Sequence, residues 1–126
     1  MSYVDGFVIP LPVDKVDDYR KMAQKAGEVW MEYGALSFIE NVADDMAPEG
    51  IERTFPVMAG VKDDETVVFS FIVFKSREHR DEVNAKVMAD PRIKEDCPEQ
   101  NPDANMPFDF KRMAYGGFKS IVELNS

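Results

Sequence analysis

The chain has 126 residues, 44% hydrophobic and 31% charged, with 24 acidic and 15 basic side chains for a net charge of −9. This fits one packed domain over residues 1–126, not a disordered chain. A chain this acidic repels phosphate, so neither nucleic acid nor an anionic membrane is expected as a partner.

Tyr3 to Ile9 is rich in β-branched and aromatic residues and meets Pro10 and Pro12, which predicts a short first strand that stops there. Asp5 interrupts its apolar residues and no basic stretch precedes it, so a signal peptide is not expected. Val16, Tyr19, Ala23, Ala26, Trp30 and Tyr33 recur at intervals of three and four, predicting a helix from Lys15 to Tyr33. Asp14 suits its N-cap and Gly34 its left-handed exit. Ala35 to Val42 reads as a second strand, Phe55 to Val61 as an extended edge segment limited by Pro56, and Lys62 to Glu65 as a turn.

Thr66 to Lys75 is the strongest strand signal. Its apolar run, Val67 to Phe74, is too short to span a bilayer. Ser76 suits the N-cap of a second helix over Arg77 to Ala89, with Val83 and Val87 on one face. Pro91 ends that helix, and Asp90 with Pro91 suits the start of a short one through Lys94. Residues 95–107 carry Pro98, Pro102 and Pro107 and read as a long loop of the kind used as a lid or binding loop. The single cysteine, Cys97, lies there; it allows no internal disulfide and fits a reducing, cytoplasmic setting. Ala114 to Leu124 reads as the last strand, with Gly116-Gly117 as a bulge.

The order strand, helix, strand, strand, helix, strand is ferredoxin-like: α+β, an antiparallel sheet with two helices on one face. In the third of these strands Val67, Phe69, Phe71 and Val73 face one way, and Val68, Ile72 and Phe74 the other. Two helices cover one face only. The other would expose a greasy surface, and a second copy related by a two-fold axis is the simplest cover. A homodimer joined sheet to sheet is therefore expected.

Three segments carry a family resemblance: Tyr-Val-Asp-Gly-Phe-Val at 3–8, Asp-Glu-Thr-Val-Val-Phe-Ser at 64–70, and Met-Pro-Phe-Asp-Phe-Lys-Arg-Met-Ala-Tyr-Gly-Gly-Phe at 106–118. Over nearly its whole length the chain resembles the YbaA-like bacterial family of unknown function. The resemblance implies the dimeric α+β barrel, in which two ferredoxin-like subunits pack sheet against sheet. It implies no activity and no catalytic residues. The wider superfamily includes cofactor-free monooxygenases, lactone isomerases, haem enzymes and ligand-binding regulators, so fold does not fix function.

The residues offer a short set of candidates. Asp5 and Glu40 are carboxylates inside expected strands, where burial without a partner is costly. Facing a cavity they would act as acid, base or hydrogen-bond anchors; paired with Arg112 or Arg53 they would be structural. His79, the one histidine, is either a general acid/base or a partly exposed residue at a helix start. Trp30 and Tyr115 are either core residues with satisfied polar tips or the walls of an aromatic pocket. One histidine and one cysteine are too few for the usual zinc sites, so no metal and no cofactor are expected. Two functions follow. One is a small-molecule-binding protein or cofactor-free enzyme with a pocket between sheet and helices. The other is a non-enzymatic dimeric interaction or regulatory protein acting through its acidic surface or the 95–107 loop.

Overall fold

The computed structural model describes residues 1–126. Its elements are β1 (Tyr3–Pro12), α1 (Val16–Glu32), β2 (Ser37–Val42), α2 (Phe55–Ala59), β3 (Glu65–Phe74), α3 (Arg77–Ala89), α4 (Pro91–Lys94) and β4 (Ala114–Lys119). The strands form one sheet in the order β2-β3-β1-β4, and every neighbouring pair is antiparallel. This is the ferredoxin-like α+β architecture. No helix is long and apolar enough to cross a membrane.

The period-two pattern of β3 sorts its side chains as the sequence requires. Val68, Ser70, Ile72 and Phe74 are buried under the helices, while Phe69 on the opposite face stays 45% exposed. Two apolar clusters fill the space between sheet and helices. Ile9, Leu11, Tyr19, Ala23, Val68 and Phe108 form one; Val29, Ala35, Ile72, Phe74, Val83 and Val87 form the other. Each fully buried large side chain among them contributes roughly 1.5–3 kcal/mol relative to exposure. Ser76 and Asp90 cap α3 and α4 by accepting from the backbone N–H groups of His79 and Arg92, as expected of them.

Five local expectations need correction. β1 does not stop at Ile9 but runs through both prolines to Pro12. Its pairing with β4 ends at Val8, so Pro10 and Pro12 lie where β1 has β3 on one side only and a missing N–H costs no ladder bond. Asp14 does not cap α1; it sits inside a 3-10 turn over Val13–Lys15, and Asp17 and Asp18 supply the negative charge of the helix's first turn. Phe55–Ala59 is a short helix, not an extended edge. Pro56 occupies its first turn and Gly60, at φ +66°, ends it. Gly116 and Gly117 form no bulge, because they pair in continuous register with Gly6 and Asp5. β4 ends at Lys119, short of Leu124, and Ile121, Val122 and Leu124 stand exposed beyond it.

Candidate functional site

Two separate polar centres lie between the sheet and its helices. The first is built on Asp5. The residue points to the helical face of β1, opposite Ile72 and Gly117, and is 1% exposed. Its Oδ1 accepts from Arg80 Nη1 at 2.6 Å and its Oδ2 from Asn84 Nδ2 at 3.1 Å. Asn84 Oδ1 in turn accepts from Trp30 Nε1 at 3.0 Å. Arg80 Nη1 also donates to the Tyr115 hydroxyl at 3.0 Å, its Nε donates to Asp81 at 2.8 Å, and its guanidinium lies 4.9 Å from the centroid of the Tyr3 ring. Gly117 is required beside this cluster. A Cβ there would lie 2.5 Å from the Tyr3 hydroxyl and 2.9 Å from Arg80 Nη1. Burial and the Asp5 carboxylate push the Tyr115 phenol above its ordinary range. Both oxygens of Asp5 are engaged, and the unit knits β1, α1, α3 and β4 together.

The second centre is built on Glu40. β2 sets it opposite Ser70 of β3, on the helical face. The Tyr19 hydroxyl, from α1, reaches Glu40 Oε2 at 2.6 Å and Oε1 at 2.8 Å. Burial pushes the Glu40 carboxyl above its ordinary value, against a lowering by hydrogen bonds from Tyr19 and Ser70. Burial beside Glu40 also pushes the Tyr19 phenol far up, so Tyr19 remains a protonated donor. No cation is paired with Glu40. The carboxylate instead lines an open groove of about 600 Å³ between α1 and β2. Leu11, Ala23, Phe38 and Val68 give the groove its apolar walls, and Arg20, Gln24 and Glu28 stand along α1 at its side. Gly27 sets the gap, since a Cβ there would fall 2.6 Å from the Phe38 ring. Trp30 backs the same wall, its ring 5.9 Å from that of Phe38.

The structure thus joins Asp5, Trp30 and Tyr115 in one network, puts Glu40 in another, and sets His79 apart from both. His79 Nδ1 accepts from the Lys75 backbone N–H at 3.0 Å, and its ring packs edge-on against Phe74. Cys97 is half-buried in the 95–107 loop, which consists of successive turns.

Four participants escaped the sequence reading. Arg80 and Asn84 share one helical face with Val83 and Val87, so the spacing that marks the buried side of α3 also marks them. Tyr19 is in the apolar stripe of α1, where its hydroxyl is easily overlooked. Ser70 interrupts the inner face of β3, and that break in the apolar alternation was the sign of a polar partner across the sheet.

Fold and site together define a small ferredoxin-like α+β protein with an open, largely apolar groove beside the half-buried Glu40 carboxylate. The chain belongs to the family described as "Protein of unknown function (DUF1428)", matched over residues 2–110. It is 47% identical over 123 residues to "Uncharacterized protein YbaA" of Escherichia coli strain K12, covering 98% of this chain and 99% of the relative. The YbaA of Shigella flexneri matches to the same extent. Among solved structures, an uncharacterized NIPSNAP domain protein from Burkholderia xenovorans aligns over 98% of this chain and 99% of its own, with a TM-score of 0.52 and 12% identity. That likeness shows the fold alone.

Proposed function

We propose that the chain binds a small organic molecule in the groove between α1 and β2, as a ligand-binding protein or a cofactor-free enzyme. The observation that carries this reading is Glu40: a strand carboxylate facing a cavity, bonded by the Tyr19 hydroxyl and paired with no cation. Apolar walls with a few convergent polar groups are the usual make-up of a small-molecule site. In this reading Glu40 is the acid, base or anchor that meets the ligand, and Trp30 stiffens the wall behind Phe38. Asp5 and Tyr115 hold the neighbouring strands in place through Arg80, and His79 braces the start of α3. A thermal-shift screen against metabolites tests it. A ligand present at about 100 times its dissociation constant adds roughly 2.7 kcal/mol to stability. The response should be lost in Glu40→Gln; a hit that Glu40→Gln leaves untouched would place binding elsewhere.

The same proposal makes the protein a cytoplasmic homodimer joined through the outer sheet face. Ile39, Phe69 and Phe118 are all more than 40% exposed there, with Phe71 and Val73 half-buried between them. The single chain exposes 8519 Å², against about 6,800 Å² expected of a compact monomer of its mass. Light scattering should give about twice 14.3 kDa, and Phe71→Asp should reduce it to the monomer. A native monomer at micromolar concentration would refute the dimer.

The alternative, a non-enzymatic dimeric interaction or regulatory protein working through its acidic surface or the 95–107 loop, is favoured by the pairing of Asp5 with Arg80, which leaves that carboxylate no free oxygen. It is distinguished by a screen in which no small molecule shifts the melting temperature.

A further inference from the structure

The charged side chains that line the groove bear on what it could take. Its ionisable lining residues are Arg20, Glu28 and Glu40. Arg20 is held by Asp17 at 2.5 Å, and Glu28 accepts from Gln24 at 3.0 Å. Gln24 is neutral, so Glu28 and Glu40 both lack a counter-charge, and of the two Glu40 is the half-buried one, set between sheet and helix. A carboxylate offers about four lone-pair positions. The single proton of the Tyr19 hydroxyl takes up only part of that capacity and leaves the rest open towards the groove. A carboxylate or phosphate on a ligand would set like charge beside a half-buried anion, within a chain already carrying −9. An ammonium group would supply the missing counter-charge and donate charge-assisted hydrogen bonds, the stronger kind.

We infer that the groove takes a small organic amine in its ammonium form, its N–H groups on the Glu40 carboxylate and its hydrocarbon part between Ala23, Phe38 and Val68. This rests on the groove being a ligand site at all, and the test separates the two ideas. The 126-residue chain, labelled with nitrogen-15, is titrated at neutral pH with three probes of similar shape: 2-phenylethylamine, 2-phenylethanol and 3-phenylpropionate. Amide shifts should gather at Tyr19, Gly27, Glu40 and Val68. The amine should bind at least about tenfold more tightly than the alcohol, as expected of a hydrogen bond to a charged group, with the propionate weakest. In Glu40→Gln, which keeps the acceptor for Tyr19, that preference should vanish.

Equal binding of all three probes at those residues would keep the groove and overturn the amine. A preference that persists in Glu40→Gln would overturn it too. No shift with any probe at millimolar concentration would overturn both ideas. A measurement on the native chain needs no variant: the Glu40 carboxyl carbon should titrate at lower pH with the amine bound than without, and an unmoved midpoint counts against the inference.

Discussion

Asp5 and Glu40 start alike and end in opposite states. Both are carboxylates on strands, and both point to the helical face of the same sheet. Asp5 meets a guanidinium and an amide from α3, and every oxygen is used. Glu40 meets only the Tyr19 hydroxyl, from α1, and keeps a side open to a groove. The difference lies in the helix above each residue. α3 covers β1 with Arg80 and Asn84, and so neutralises the charge it buries. α1 covers β2 with Tyr19, which brings a hydroxyl and no cation, and so leaves the charge uncompensated beside the groove. A buried carboxylate becomes structural or available according to its roof, not its strand.

The sharpest way to break this comparison is to remove the cation. Arg80→Leu leaves Asp5 buried without a counter-charge and also strips a donor from Tyr115. Loss of one partner of a buried pair costs about 3–5 kcal/mol, and urea denaturation should show it. The double variant Asp5→Asn with Arg80→Leu should recover part of the loss, because the uncompensated charge is gone. A loss below about 1 kcal/mol in Arg80→Leu, the range of exposed ion pairs, would mean that the network is not structural.

A smaller effect comes from the backbone beside the same cluster. In Gly117→Ala the new methyl would fall 2.5 Å from the Tyr3 hydroxyl and 2.9 Å from Arg80 Nη1. Tyr3 or Arg80 must move, and overpacking of this kind costs about 1–3 kcal/mol. Thermal unfolding should register the loss, with near-native far-ultraviolet circular dichroism below the transition. Unchanged stability would show that the Tyr3–Arg80 stack yields freely and is not what positions Asp5.

How far these centres were legible depends on what each residue announces by type. Periodicity displayed both faces of β3 and the buried stripe of α1, because burial repeats at the period of the element. It also displayed Asp5 and Glu40, because a carboxylate inside a strand breaks an apolar pattern. It did not show which partner each would meet, since Arg80 and Tyr19 lie 75 and 21 residues away in sequence from the groups they bind. The prolines misled for a related reason. Pro10 and Pro12 stop a strand only where both sides are paired, and pairing on the β4 side had already ended. Pro56 reads as an edge mark, although a proline followed four residues later by Gly60 equally spells the start and end of one helical turn.

The least disruptive change touches the open carboxylate alone. Burial raises the folded-state pKa of Glu40 above its ordinary value of 4.5, so the fold favours the protonated form. The stability this group contributes is therefore fully present below the unfolded value and is lost as pH rises through the folded one. Glu65 acts in the opposite sense. Its bidentate contact with Arg112 holds its carboxyl down at about 2, so its contribution is present above 4.5 and lost as pH falls towards 2. The two effects overlap in any single pH profile and separate only by difference. Glu40→Gln mimics the protonated carboxyl and leaves Glu65 alone, so the stability of the variant minus that of the native chain should rise in the variant's favour as pH climbs above about 4.5. Arg80→Leu and Gly117→Ala should show no such rise over that window. A flat difference for Glu40→Gln would mean that Glu40 sits in water like any surface glutamate, and the contrast with Asp5 would then be one of pairing alone, with no desolvated carboxylate at the groove.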